Sequence, residues 1–107
     1  MARASTSSDP FNAIAEPRRR QILEFIAAEE RSVNEIAEAL GLEQPSVSKH
    51  LLVLRKVDLV TMKRDGRQTL YRTNAETLRT IHDWAGMFAQ HWRGQLRRIK
   101  AHAEGKR

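Results

Sequence analysis

At 107 residues the chain has room for one domain with a modest core, which makes help from a second subunit expected, and its formal charge of +6 with a pI near 10.5 favours a polyanionic partner. The absence of cysteine excludes disulfides and thiolate metal sites. No stretch approaches a transmembrane span and the N-terminus lacks the apolar core of a signal peptide, so the expected setting is the cytoplasm, away from any membrane.

Residues 1–8 are small and polar and are expected to form a disordered N-terminal tail. Asp9-Pro10 then reads as the cap and first position of a short helix, and Glu16-Pro17 repeats that pattern. The second helix buries Ile22, Phe25 and Ile26 at i, i+3 and i+4, with Arg18, Arg19 and Arg20 near its start. Cations at that end oppose the helix dipole. Pairing with acids such as Glu16 and Glu24 is preferred to DNA contact.

Residues 32–56 carry the strongest pattern. Val33, Ile36, Ala37 and Leu40 make one apolar stripe, with Ser32 and Glu35 forming a capping box. Gly41 ends that helix in the left-handed conformation, and Leu42 packs back on its last turn. Pro45 suits the first turn of a following helix, capped by Glu43 or Gln44. Val47, Leu51 and Leu54 face the core, leaving Ser46, Lys49, His50 and Val53 outward with Gln44 at the tip. Any amphipathic helix has a polar face. A helix entering the major groove also needs short donors and acceptors near its N-terminus, which Gln44, Ser46, Ser48, Lys49 and His50 supply.

Two β-rich runs, 59–63 and 68–73, flank Asp65-Gly66, a strong hairpin signal. A two-residue turn there would pair Arg64 with Arg67 and Val60 with Tyr71, placing Val60, Met62 and Tyr71 on one face. Lys63, Arg64 and Arg67 would then cluster at the tip, where like charges repel unless an anion lies between them. After a helix-turn-helix, a phosphate-contacting wing is preferred to a merely soluble turn.

From Asn74 a single long helix is expected to about residue 101, with Leu78, Ile81, Trp84 or Ala85, Phe88, Trp92, Leu96 and Ile99 in one stripe. One small body covers only part of such a helix. Leu78 and Ile81 are read as core, and Trp84, Met87, Phe88 and Trp92 as a homodimer interface. The division is a tail at 1–8, a DNA-binding and dimerisation domain at 9–101 and a basic tail at 102–107.

The segments Gln-Pro-Ser-Val-Ser-Lys-His-Leu-Leu-Val-Leu-Arg (44–55), Leu-Val (59–60), Asp-Gly-Arg (65–67) and Leu-Tyr-Arg (70–72) together resemble the arsenical-repressor (ArsR/SmtB) class. The likeness extends to Ala-Glu-Pro-Arg-Arg-Arg-Gln-Ile-Leu (15–23) and a Trp-containing last helix, covering nearly all of 9–100. It implies a homodimeric transcriptional repressor, mainly α with a small β-hairpin, with the 44–57 helix in the major groove and the hairpin as wing. Glu43 departs from the Ser or Thr cap usual in such regulators.

Zinc-binding members of that class carry Asp-x-His followed by His-x-x-Glu on the last helix; here the order is His82-Asp83, and Gly94 stands three after His91. His82 and His91 fall on nearly opposite faces of one helix and cannot chelate one ion within a chain. No metal or other cofactor is expected, and an intersubunit site from His82, Asp83, His91 and His102 is the weaker alternative. Ser48 and His50 point in different directions with no third catalytic group, so catalysis is not expected. The expectation is a repressor binding a palindromic double-stranded operator, with base contacts from Gln44, Ser46, Lys49 and His50 and phosphate contacts from Ser48, Lys63, Arg64 and Arg67. A winged-helix protein-interaction module is the alternative from another class; the sequence does not name an effector.

Overall fold

Proline and its preceding acid start the first two helices. In the computed structural model, which describes residues 9–105, Asp9 caps α1 (Pro10–Ala13) by accepting the Asn12 N–H at 2.8 Å. Glu16 caps α2 (Pro17–Phe25) by accepting the Arg18 N–H at 2.6 Å. The expected tail at 1–8 lies outside the described residues. The three arginines of α2 are structural, with partners other than the expected acids. Arg19 Nε donates to the Ala13 carbonyl at 2.6 Å, Arg20 Nη1 to the Ile14 carbonyl at 2.7 Å, and Arg18 Nη1 to Gln21 at 3.3 Å. Two cations thus meet the carbonyl end of α1 and fix its angle to α2.

The capping box at Ser32 and Glu35 forms in both directions, at 3.2 and 2.9 Å, and starts α3 (Val33–Leu40). Gly41 takes φ +67°, and the Leu42 N–H reaches back to the Ala37 carbonyl at 2.9 Å. A Cβ at Gly41 would meet nothing, so backbone conformation alone selects glycine there. Glu43 is the N-cap of α4 (Gln44–Lys56), and its side chain makes no capping bond. At the other end Asp58 is left-handed (φ 62°) and Leu59 N–H reaches the Leu54 carbonyl at 2.9 Å, turning the chain into the hairpin.

The core lies where α2, α3 and α4 meet the hairpin. Ile22, Ile26, Ile36, Val47, Leu51, Leu54 and Leu59 are fully buried, each worth roughly 1.5–3 kcal/mol of apolar burial. Leu23 also joins it, whereas Phe25 stays half-buried beneath the Arg31 guanidinium, 5.5 Å from its ring centroid.

Strands β1 (Val60–Asp65) and β2 (Gln68–Thr73) pair antiparallel, in a register that corrects the expected one: Val60 faces Thr73, Met62 faces Tyr71, and Asp65 faces Gln68. The turn residues are Gly66 and Arg67, not Asp65 and Gly66. Of the hairpin's residues only Gly66 has positive φ (+65°), which fits a turn with glycine first, whereas the expected turn needs Asp65 left-handed as well. The displacement is even, so Val60, Met62 and Tyr71 still share a face. A third, one-residue strand was not foreseen: Arg31 exchanges both backbone bonds with Tyr71, at 2.9 and 2.8 Å. Thr73 Oγ1 donates to the Leu23 carbonyl at 2.7 Å, tying β2 to α2.

The expected single C-terminal helix is two. Asn74 caps α5 (Ala75–Gly86), and α6 (Ala89–Gly105) follows after Met87 and Phe88. At the break the Met87 and Phe88 N–H groups bond the Trp84 and Ala85 carbonyls, three residues back, both at 3.1 Å. These tightened bonds follow Gly86, the residue of least helix propensity in that turn. Helix α6 passes through the described part of the expected 102–107 tail to Gly105. The radius of gyration is 18.6 Å, against about 13 Å for a compact chain of this length, because α6 stands away from the body.

Candidate nucleic-acid interface

Helix α4 presents three surfaces outside its buried stripe. Pro45, Lys49, Leu52 and Lys56 recur at i, i+4, i+7 and i+11, all exposed, and form the row farthest from the core. Gln44, Ser48 and Arg55 are exposed on one flank. Ser46, His50 and Val53 lie half-buried on the other, and Val53 packs against the core, which corrects its outward placement. Of the expected base-contacting residues, Gln44 and Lys49 are exposed and Ser46 and His50 only partly so.

His50 lies beside the start of α2. Burial, then the positive charge of Arg19, hold its pKa below 6.5; Glu16 opposes them and Arg18 adds to them. The neutral imidazole, one donor and one acceptor, is therefore favoured. The helix itself has Lys49, Arg55 and Lys56 and no acid between Gln44 and Lys56, so its outward field is positive.

The hairpin does not gather its cations on one face. Pairing places Arg64 opposite Thr69 and Lys63 opposite Leu70, so the two side chains leave opposite faces of the ribbon. Lys63 Nζ pairs with Glu30 Oε1 at 2.9 Å, and that hydrogen bond and charge raise the lysine pKa above its ordinary value. Arg64 Nη2 reaches the Gly66 carbonyl at 3.4 Å, and Arg67 is exposed in the turn. The cationic tip is thus Arg64 and Arg67, with Lys63 held toward the α2–α3 connection.

Sequence reasoning passed over Leu52 and Lys56, although the helical spacing i, i+4, i+7 and i+11 that starts at Pro45 and Lys49 reaches both. Among the described residues no group of three His, Asp or Glu could hold a metal ion. His82 and Asp83 contact each other at 3.2 Å on the surface of α5.

A helix-turn-helix whose second helix turns a polar, cationic face outward, followed by a charged hairpin, is a winged helix-turn-helix. Residues 16–62 match the family model described as bacterial regulatory protein, arsR family. Transcriptional repressor SdpR of Bacillus subtilis is 31% identical over 69% of this chain and 82% of its own length. The chain belongs to the arsR family. HTH-type transcriptional regulator KmtR of Mycobacterium tuberculosis is 42% identical over 76% of this chain, which spans 62% of that relative. The solution structure of Mb0332 from Mycobacterium bovis, a homodimeric winged helix-turn-helix DNA-binding domain, superposes with TM-score 0.63 at 31% identity over 77% of each chain.

Proposed function

We infer that this chain acts in the cytoplasm as a homodimeric transcriptional repressor that occludes a palindromic operator, with no catalytic activity. The observation carrying the reading is the outward row of α4, cationic and free of acids, on a helix packed as the second member of a helix-turn-helix. Gln44 and Lys49 are assigned to base edges, with Ser46 and His50 beside them reaching the groove wall from their half-buried flank. Ser48, Arg64 and Arg67 are assigned to phosphates; Lys63 joins them only when it leaves Glu30.

The dimer is assigned to the aromatic face of α5 and the adjoining turn. Phe11 meets Trp84 edge-on at 5.5 Å, Trp84 meets Phe88 at 5.3 Å, and Met87, Phe88 and Trp92 remain 73%, 39% and 54% exposed in the single chain. A monomer seldom leaves such a patch to water, and aromatic and Met enrichment marks interface centres.

Selection of bound fragments from random duplex DNA tests the reading. The recovered site should be an imperfect palindrome with half-site centres about 34–36 Å apart. With roughly six phosphates neutralised, raising salt from about 50 to about 200 mM should weaken binding about a thousandfold. Failure to enrich any sequence, or salt-independent binding, would remove the proposal.

A further inference from the structure

We propose that Leu52 reads a thymine methyl group in the major groove of each half-site, an inference that rests on the DNA-binding reading above. Leu52 is 50% exposed although α4 has its core contacts elsewhere, in Val47, Leu51 and Leu54 at 0–1% exposure. Packing therefore does not account for it. Lys49, assigned above to a base edge, and Leu52 stand three residues apart in the same exposed row, so the two side chains face the same surface. Lys49 lies about one turn before Leu52 and Lys56 about one turn after it in the same outward row, so a duplex engaging both cations covers the leucine.

An isobutyl group neither donates nor accepts a hydrogen bond. Pressed against a cytosine amino group or a guanine oxygen, it would remove water and return nothing, at a cost. The thymine 5-methyl is the one apolar group on a base edge in the major groove.

The test uses the duplex recovered by selection with the wild-type protein, in which each thymine of one half-site is replaced singly by deoxyuridine, so that only a methyl is lost. At one position the replacement should weaken wild-type binding about fourfold, the value of one buried methyl-sized group. Leu52→Ala should bind the thymine and deoxyuridine duplexes equally, with an unchanged melting midpoint; were its midpoint to fall, Leu52→Gln would serve in the same comparison. A site insensitive to every methyl, or a methyl effect equally large in the leucine variant, overturns the proposal while leaving DNA binding intact. Absence of any selected site overturns the DNA-binding reading itself, and this inference with it.

Discussion

His50 stands between two roles, half-buried against α2 and close to the surface that faces DNA. Its folded-state pKa is below the 6.5 of an unfolded chain, so on acidification the unfolded chain takes up the proton first. Its contribution to stability is therefore flat above about pH 6.5, is lost as pH falls below that value, and levels once the folded imidazole also protonates. His50→Gln should remove that part of the acid sensitivity; urea midpoints at about pH 7.5 and about pH 5.5 measure it, and equal acid losses in both proteins would refute the assignment. Lys49 and Arg67 separate reading from grip. Lys49→Ala should flatten discrimination among half-site bases by about 1–3 kcal/mol, whereas Arg67→Ala should weaken all sequences alike. Titrations against single-base operator variants distinguish them, and indistinguishable, sequence-blind losses would mean α4 is not the reader.

At the scale of elements, the hairpin is positioned by its neighbours as much as by its own turn. Arg31 adds a backbone bridge to Tyr71, Thr73 holds the Leu23 carbonyl, and Glu30 holds Lys63. The first two connect β2 with α2 and the segment before α3, so the wing base moves with the helix-turn-helix. The ion pair is exposed and contributes little to stability, but it occupies a charge that phosphate would otherwise attract. Glu30→Gln should therefore leave the melting midpoint nearly unchanged, tighten binding to all duplexes and steepen the salt dependence of the dimer by about two phosphates' worth, one for each subunit. Anisotropy titrations at several salt concentrations check this; an unchanged slope would show that Lys63 stays off the DNA.

Across the whole molecule, the decisive feature is an apolar surface that the body leaves uncovered. Trp92, Leu96 and Ile99 are 54%, 65% and 62% exposed along α6, continuing the aromatic edge of Phe11, Trp84 and Phe88. A second subunit over Trp84, Met87, Phe88 and Trp92 would remove this surface from water and make dimer and fold interdependent. Phe88→Glu would then place an unpaired charge in an apolar interface, at a cost on the order of several kcal/mol against a total stability of roughly 5–15 kcal/mol. The expected result is a monomeric, destabilised protein without operator binding. Light scattering and thermal melts test it: a dimeric variant with an unchanged midpoint would locate association on another surface.

Wherever one residue type meets one local requirement, the sequence alone was sufficient. Ser32 with Glu35, Gly41 in its left-handed turn, Pro10 and Pro17 after their capping acids, and the buried stripe Val47, Leu51 and Leu54 all follow from interactions within a few residues. The residue blocks at 15–23, 44–55, 59–60, 65–67 and 70–72 carried the resemblance to the arsenical-repressor class, and with it the family. Tertiary structure decided what depends on neighbours distant in the chain. The hairpin register turned on which turn residue takes positive φ, since Asp65-Gly66 and Gly66-Arg67 are both acceptable two-residue loops until the strands are seated on α2 and Arg31. Lys63 left the cationic tip because Glu30 lies beside it in space, and His50 and Val53 lost part of their exposure to α2 and the core. Periodicity gives the direction of a side chain from the helix axis; only the packed neighbours determine whether that direction ends in water.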